Sequence, residues 1–183
     1  MKINAKDILV PTVSLFIICL VATLLLAIVN SITVDKIAEQ TKQAEAAART
    51  AVLQDAKSFD KKDDYYIGKD ADGKTVGYVF NTVGDSKGYG GAIAVTVGID
   101  NDGVITGIVP GDVSQETPGL GQNAGKESWQ KQFIGKKGQL TVVKGEAKEN
   151  EVKAITSATI TSKAVTSSVN KALEEFAKIG GAK

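Results

Sequence analysis

The chain has 183 residues, 43% of them hydrophobic and 23% charged, with a net charge of +1; this leaves room for one modest domain plus an anchor and excludes both a disordered tail and a polytopic membrane protein. A charge balance this even offers no basic footprint for nucleic acid. Histidine is absent and the single cysteine, Cys19, lies in an apolar segment, so the chain alone holds no Ser-His or Cys-His pair, no internal disulfide and no iron–sulfur cluster, and redox chemistry would have to come from an organic cofactor.

Residues 8–34 run for 27 positions without a charge. A helix rises ~1.5 Å per residue, and a bilayer core of ~30 Å takes about 20 residues. The segment therefore reads as a transmembrane helix, with the lipid bilayer as its partner. Pro11 falls near its start, where a helix tolerates proline. A cleaved signal peptide would have a shorter apolar run, about 7–15 residues, and a small-x-small cleavage site, whereas Asn30, Ser31 and Ile32 follow here. Lys2 and Lys6 against Asp7 precede the span; Asp35 and then Lys36 follow it. The positive-inside rule puts residues 1–7 in the cytoplasm and the rest of the chain outside it.

Residues 35–59 read as a further helix, rich in Ala and Gln and free of Gly and Pro. Ile37, Thr41, Ala44, Ala48 and Val52 recur at helical spacing, but the face is only weakly apolar. Residues 35–60 are therefore expected to form a stalk lying loosely against a domain of residues 61–183.

From Tyr65 the pattern changes to period two. Residues 74–82 form a strand candidate, reached through the turn at Asp70, Ala71, Asp72 and Gly73. Residues 92–99 alternate, with Ile93, Val95, Val97 and Ile99 on one face. A turn at Asp100, Asn101, Asp102 and Gly103 leads into residues 104–109, a hairpin signal. Neither Asp-rich turn is a calcium loop: glycine stands fourth rather than sixth, and Gly111 and Asn81 occupy the twelfth positions where a bidentate Glu belongs. Residues 140–144 are another strand candidate. A last helix presents Val165, Val169, Leu173 and Phe176 on one face, with Ala172 and Ile179 beside them. Thr161 or Ser162 is its expected N-cap, and Gly180-Gly181 its stop. The fold class is α+β: one N-terminal transmembrane helix followed by a single mixed α/β domain with an antiparallel sheet.

The stretch Ala154-Ile155-Thr156-Ser157-Ala158-Thr159-Ile160-Thr161-Ser162 carries five hydroxyls in nine residues. Two readings stand side by side. In one, β-branched residues end a strand and a hydroxyl caps the helix. In the other, Thr159 projects its hydroxyl from the strand-to-helix turn, where unpaired N–H groups and the helix dipole suit a phosphate-linked group.

Thr156-Ser157-Ala158-Thr159 resembles the Ser/Thr-Gly-Ala-Thr flavinylation motif of the FMN-binding domain, found in the G subunit of the Rnf complex and the C subunit of the sodium-pumping NADH:quinone oxidoreductase. Ile160-Thr161-Ser162-Lys163-Ala164-Val165 is similar to that family as well. So is Glu116-Thr117-Pro118-Gly119-Leu120-Gly121, a loop that packs on the isoalloxazine ring there. Pro118-Gly119 suits a tight turn, and glycine lets backbone approach a flat ligand. Gly88-Tyr89-Gly90-Gly91 resembles a third family element. Trp129 and Phe133 also match, and core packing is the reading favoured for both. Two positions depart from the pattern: Ser157 stands where the family usually has Gly, and Lys153 where it usually has Asp.

The resemblance implies an electron-transfer subunit of an Rnf-type, membrane-bound, ion-translocating ferredoxin:NAD oxidoreductase, a redox-driven translocase. It implies FMN joined as a phosphoester to Thr159 by a flavin transferase. The implied cofactor-binding residues are Thr159, Thr156, Ser157, Ala158, Ile160, Thr161, Glu116, Thr117, Gly119 and Leu120, with Thr117 and Leu120 flanking the flavin. The other subunits of the complex are the implied partners, at the cell membrane. An unmodified, membrane-anchored binding or regulatory domain of the same fold is the alternative, and a flavinylated reductase with an extracellular acceptor is a third.

Overall fold

The computed structural model describes residues 5–180; Lys2 and Gly181, which enter the expectations for orientation and for the helix stop, lie outside them. Helix α1 spans Ala5–Val52. Its part from Ile8 onward is long and apolar enough to cross a membrane. The large apolar side chains there, Leu15, Phe16, Ile18 and Leu26 among them, are exposed. Three threonines do not spoil this surface. Thr12, Thr23 and Thr33 each donate the hydroxyl to the carbonyl four residues earlier, at 2.7 to 2.9 Å, which satisfies each donor within the helix itself. Pro11 lies inside the helix.

The chain divides into two compact units, one up to Ala44 and one from Glu45 onward. The second unit is built on a five-stranded antiparallel meander in the order β1 (Ser58–Lys61), β2 (Tyr65–Lys69), β3 (Thr75–Val83), β4 (Ala94–Asp100) and β5 (Ile105–Pro110). After β5 come the short helix α2 (Glu127–Gln130), strands β6 (Thr141–Val143) and β7 (Glu151–Lys153), which pair in parallel, and the long helix α3 (Thr159–Lys178).

Both faces of the sheet are covered. On one, Phe80, Val95, Val97, Ile99, Ile105 and Ile108 pack against Ala164, Val165, Val169, Ala172 and Phe176 of α3. The period-two alternation of β4 against the 3.6-residue stripe of α3 supplies this interface. Burying several such side chains stabilises by about 1.5–3 kcal/mol each. Polar anchors fix its register. Thr82 donates to the Ser168 carbonyl at 2.7 Å, and Ser168 donates to the Ile93 carbonyl at 2.8 Å while accepting from Gly84 N–H at 2.9 Å. Asn170 makes paired bonds to both backbone groups of Leu140, which pins β6 to α3.

On the other face, Val52, Leu53 and Ala56 pack with Val79. Thr106 donates to the Val52 carbonyl. Gly98 is required here, because a Cβ at this position would strike the Val52 carbonyl. Arg49 lies over the Tyr66 ring, 4.3 Å from its centroid.

Several details differ from the sequence reading. The helix stops at Val52, short of residue 59, and Ser58–Lys61 is a strand. The end of the expected stalk is not loosely placed: Ala48, Val52, Leu53 and Ala56 are buried. The apolar stripe is too weak to mark its own end, and only its last turn joins a core. The N-cap of α3 is Ala158, with no side-chain capping bond, rather than Thr161 or Ser162. Both hydroxyls bond elsewhere. Ile179 is exposed at the C-terminal end, not on the buried face. The strand expected at residues 140–144 forms as Thr141–Val143, but it pairs in parallel with Glu151–Lys153, a three-residue strand too short to announce itself.

Candidate functional site

Three segments far apart in sequence meet at the start of α3. The first is the turn into the helix. Ala158 N–H donates to the Ile155 carbonyl at 2.9 Å, and Ser162 N–H donates to the Ala158 carbonyl at 3.0 Å. Ser162 Oγ donates to the Ala158 carbonyl and accepts from Ile155 N–H, both at 2.9 Å. Ile155 and Ala158 are buried beneath this knot, while Thr156, Ser157 and Ile160 are exposed and Thr159 is half-buried. Ser157 has φ 61, the only positive φ outside glycine among the described residues. That left-handed geometry is one reason a glycine suits the position.

Thr159 is the first residue of a 20-residue helix. Among the described residues, the N–H groups of Thr159, Ile160 and Thr161 have no hydrogen-bond acceptor, and Ala158 cannot cap them. The positive helix end is therefore open beside the Thr159 hydroxyl, a setting that stabilises a phosphate.

The second segment is residues 116–121. Glu116 is 3% exposed. Its Oε2 accepts from Thr161 Oγ1 at 2.5 Å, and its Oε1 accepts from Gly90 N–H at 2.9 Å. Burial works to raise the carboxyl's pKa, but the Thr161 hydroxyl and the Gly90 and Tyr89 N–H groups outweigh it and hold the pKa below the ordinary glutamate value. Gly121 sits where any Cβ would come within 2.7 Å of Glu116 Oε2 and 2.8 Å of Thr161 Oγ1, so the loop can approach the helix only with glycine there. Gly119 takes φ +73 in the turn after Pro118. The third segment is the loop at Gly88, Tyr89, Gly90 and Gly91, drawn in by the Gly90–Glu116 bond.

These segments enclose a cleft of ≈ 250 Å³, lined by Tyr89, by Thr117, Leu120 and Gly121, and by residues 157–161. Seven of the ten residues expected at the site therefore line it: Ser157, Ala158, Thr159, Ile160, Thr161, Thr117 and Leu120. Glu116 lies beneath as a brace and not on the wall. Thr156 faces two neighbouring clefts instead, and Gly119 is not among the lining residues. Tyr89, 80% exposed, is a wall residue that the sequence does not single out as a ligand. The signal that finds it is the Gly-Tyr-Gly-Gly string, whose pairing with Glu116 is invisible in sequence. Phe133 is fully buried in the core, as expected, and Trp129 is half-buried against it, its ring 5.2 Å away edge-on.

The residues are compatible with a flavin phosphate: a hydroxyl lies at an open helix start, and Tyr89 and Leu120 line the same cleft. Residues 88–174 match the family model of the FMN-binding domain, and residues 1–52 match that of the RnfG N-terminal region. The chain is 43% identical over 186 residues to the G subunit of the Na(+)-translocating ferredoxin:NAD(+) oxidoreductase complex of Acetobacterium woodii, with 88% of each chain covered. It is 38% identical over 188 residues to the G subunit of the proton-translocating ferredoxin:NAD(+) oxidoreductase complex of Clostridium ljungdahlii, covering 98% of this chain and 97% of that one. Among solved structures, NqrC of Shewanella oneidensis is similar with TM-score 0.54 at 26% identity, over 69% of this chain and 67% of that one. The C subunit of the Na(+)-translocating NADH-quinone reductase of Parabacteroides distasonis gives TM-score 0.52 at 27% identity, over 62% and 60% of the two chains. With a matched FMN-binding domain, a matched RnfG N-terminal region and relatives aligned over nearly their whole length, this chain belongs to the family of G subunits of ion-translocating ferredoxin:NAD(+) oxidoreductase complexes.

Proposed function

We propose that this chain is the electron-carrying G subunit of an ion-translocating ferredoxin:NAD(+) oxidoreductase, with FMN esterified through its phosphate to Thr159. The observation that carries the reading is the Thr159 hydroxyl at an uncapped helix start, on the wall of a cleft assembled from three separated segments. The flavin, when bound, supplies electron transfer; the protein's residues supply attachment, orientation and access.

Attachment joins the Thr159 hydroxyl oxygen to the FMN phosphorus of FAD. The pyrophosphate bond breaks, AMP leaves and the hydroxyl proton passes to solvent. A flavin transferase is the catalyst in this reading, since the cleft holds no general base: no carboxylate or histidine lines it. The open N–H groups of α3 would stabilise the remaining negative charge.

At ≈ 250 Å³ the cleft lies below the ~300–1,000 Å³ of sites that enclose small molecules. A cleft of this size would hold only part of a flavin and would leave the remainder accessible, as a relay to partner subunits requires. Residues 8–34 would anchor the chain in the cell membrane, with residues 1–7 cytoplasmic and the flavin domain outside, on the strength of the flanking charges. Outside the cytoplasm a covalent link keeps the cofactor from being lost.

The test is direct. The chain expressed with a flavin transferase should run on a denaturing gel as a band fluorescent under ultraviolet light, with an intact mass increased by one FMN. Thr159→Val should abolish both. A dark, unmodified wild-type band would instead identify a membrane-anchored domain that works without a covalent flavin. Protease treatment of intact spheroplasts should remove residues 61–183, and protection of that segment would reverse the assigned orientation.

A further inference from the structure

A second cleft, of ≈ 280 Å³, also has Thr159 on its wall, together with Thr156, Ser157, Lys144 and Lys153. No acidic residue lines it. Both lysines are exposed, and neither takes part in an ion pair among the described residues.

Their placement follows from the parallel ladder. Val143 pairs with Lys153, and Ala154 N–H donates to the Val143 carbonyl at 2.8 Å, so the ends of β6 and β7 emerge side by side at the turn that leads to Thr159. The backbone of Lys153 is held from the opposite side. Its N–H donates to Gln132 Oε1 at 2.7 Å, and its carbonyl accepts from Trp129 Nε1 at 2.9 Å and Gln132 Nε2 at 3.3 Å. With its main chain saturated, the residue contributes only its side-chain charge to the cleft. Two lysines lining one small cleft that no acidic residue lines give it a positive charge, and an anion bound there would be attracted by both.

We propose that Lys144 and Lys153 form a phosphate clamp beside Thr159, which holds the phosphodiester of the attached flavin. The proposal rests on the assignment of Thr159 as the attachment site. The clamp gives a physical role to the lysine at position 153, where the similar motif usually carries an acid. A phosphodiester bears a single negative charge and two unesterified oxygens, which the two lysines and the open N–H groups of α3 would share. Holding it would fix the start of the ribityl arm and so limit the directions in which the ring can leave the cleft. The contacts are solvent-exposed, so they weaken as salt rises.

The test uses the full-length chain in detergent, co-expressed with a flavin transferase, as wild type, K144Q/K153Q and the charge-keeping K144R/K153R. Intact mass reports loading, the phosphorus-31 resonance reports the environment of the link, and release of flavin by a phosphodiesterase reports its protection. The Gln pair should shift the phosphorus resonance toward that of a free diester and speed release by about two- to thirtyfold, the range that the loss of two exposed charge contacts gives. The Arg pair should stay near wild type, and high salt should carry wild type toward the Gln pair. Poorer loading of the Gln pair, restored by Arg, also supports the clamp. Fully loaded Gln-pair protein with unchanged resonance and unchanged release would overturn the clamp while leaving Thr159 as the attachment site. Wild type without a flavin at Thr159 would overturn both.

Discussion

Thr161 Oγ1 donates to Glu116 Oε2 at 2.5 Å, joining two buried groups 45 residues apart in the chain. The same carboxylate receives Gly90 N–H through its other oxygen. One side chain therefore ties together all three segments of the cleft, although it contributes nothing to the wall. This divides the loop at residues 116–121 into a brace, Glu116, and wall residues, Thr117, Leu120 and Gly121.

The brace should be measurable as a coupling. Thr161→Val and Glu116→Gln should each destabilise the folded unit by about 1–3 kcal/mol, the range for a buried charge-assisted hydrogen bond. The double variant should lose clearly less than the sum, because each single change already breaks the shared bond. Urea unfolding of the four proteins checks this, and strict additivity would mean the two groups act independently.

Glu116 also predicts an acid limb. Its carboxyl is held below the ordinary value by the Thr161, Gly90 and Tyr89 donors acting against burial, so the unfolded chain takes up this proton at higher pH than the folded one. The stability it contributes is complete above the unfolded value of about 4.3 and drains as pH falls through the lower, folded value. Thermal midpoints measured from pH 6 downward should fall less steeply in Glu116→Gln than in wild type, with the difference confined to pH below about 4.3.

Ser157 at φ 61 predicts a gain from the glycine that the motif usually carries. A left-handed non-glycine residue costs roughly 1–2 kcal/mol, and the greater unfolded-state freedom of glycine returns about 0.4–1 of it. Ser157→Gly should therefore raise stability by a few tenths to about 1 kcal/mol, and Ser157→Val should lower it. Equilibrium unfolding of the unmodified chain measures both; a loss on going to glycine would show that the Ser157 side chain makes a compensating contact.

Gly98 tests the docking of the end of α1. An added Cβ would strike the Val52 carbonyl and the Thr106 hydroxyl, so Gly98→Ala should cost about 1–3 kcal/mol by overpacking. Gly145→Ala is the matched control, since nothing lies within 4 Å of a Cβ there. Protease cleavage after residue 45 should accelerate in the first variant and stay at the wild-type rate in the second.

Local signals in the chain are reliable where a single period runs unbroken. The uncharged run at residues 8–34, the alternation of Val95, Val97 and Ile99, the Asp-Asn-Asp-Gly turn and the stripe of α3 all specify their elements through nearest-neighbour geometry. Short strands fail that test. Ser58–Lys61 and Glu151–Lys153 hold four and three residues, too few to show a period, and exist because partners complete their hydrogen bonds; the strand at Thr141–Val143 is legible, but its parallel partner is not.

Residue order alone thus determined an apolar N-terminal helix and an α+β domain, while Thr159 as the place to look came from the resemblance of its motif to a known family. Only the tertiary structure decided that Thr161 and Ser162 are spent on Glu116 and on the Ile155–Ala158 knot, which leaves α3 uncapped. It alone brought Tyr89, Leu120 and Thr159 to one cleft and Lys144 to Lys153. The reason is that a hydroxyl or a charge has several partners within reach of its own sequence neighbourhood, and burial chooses among them only when distant segments arrive.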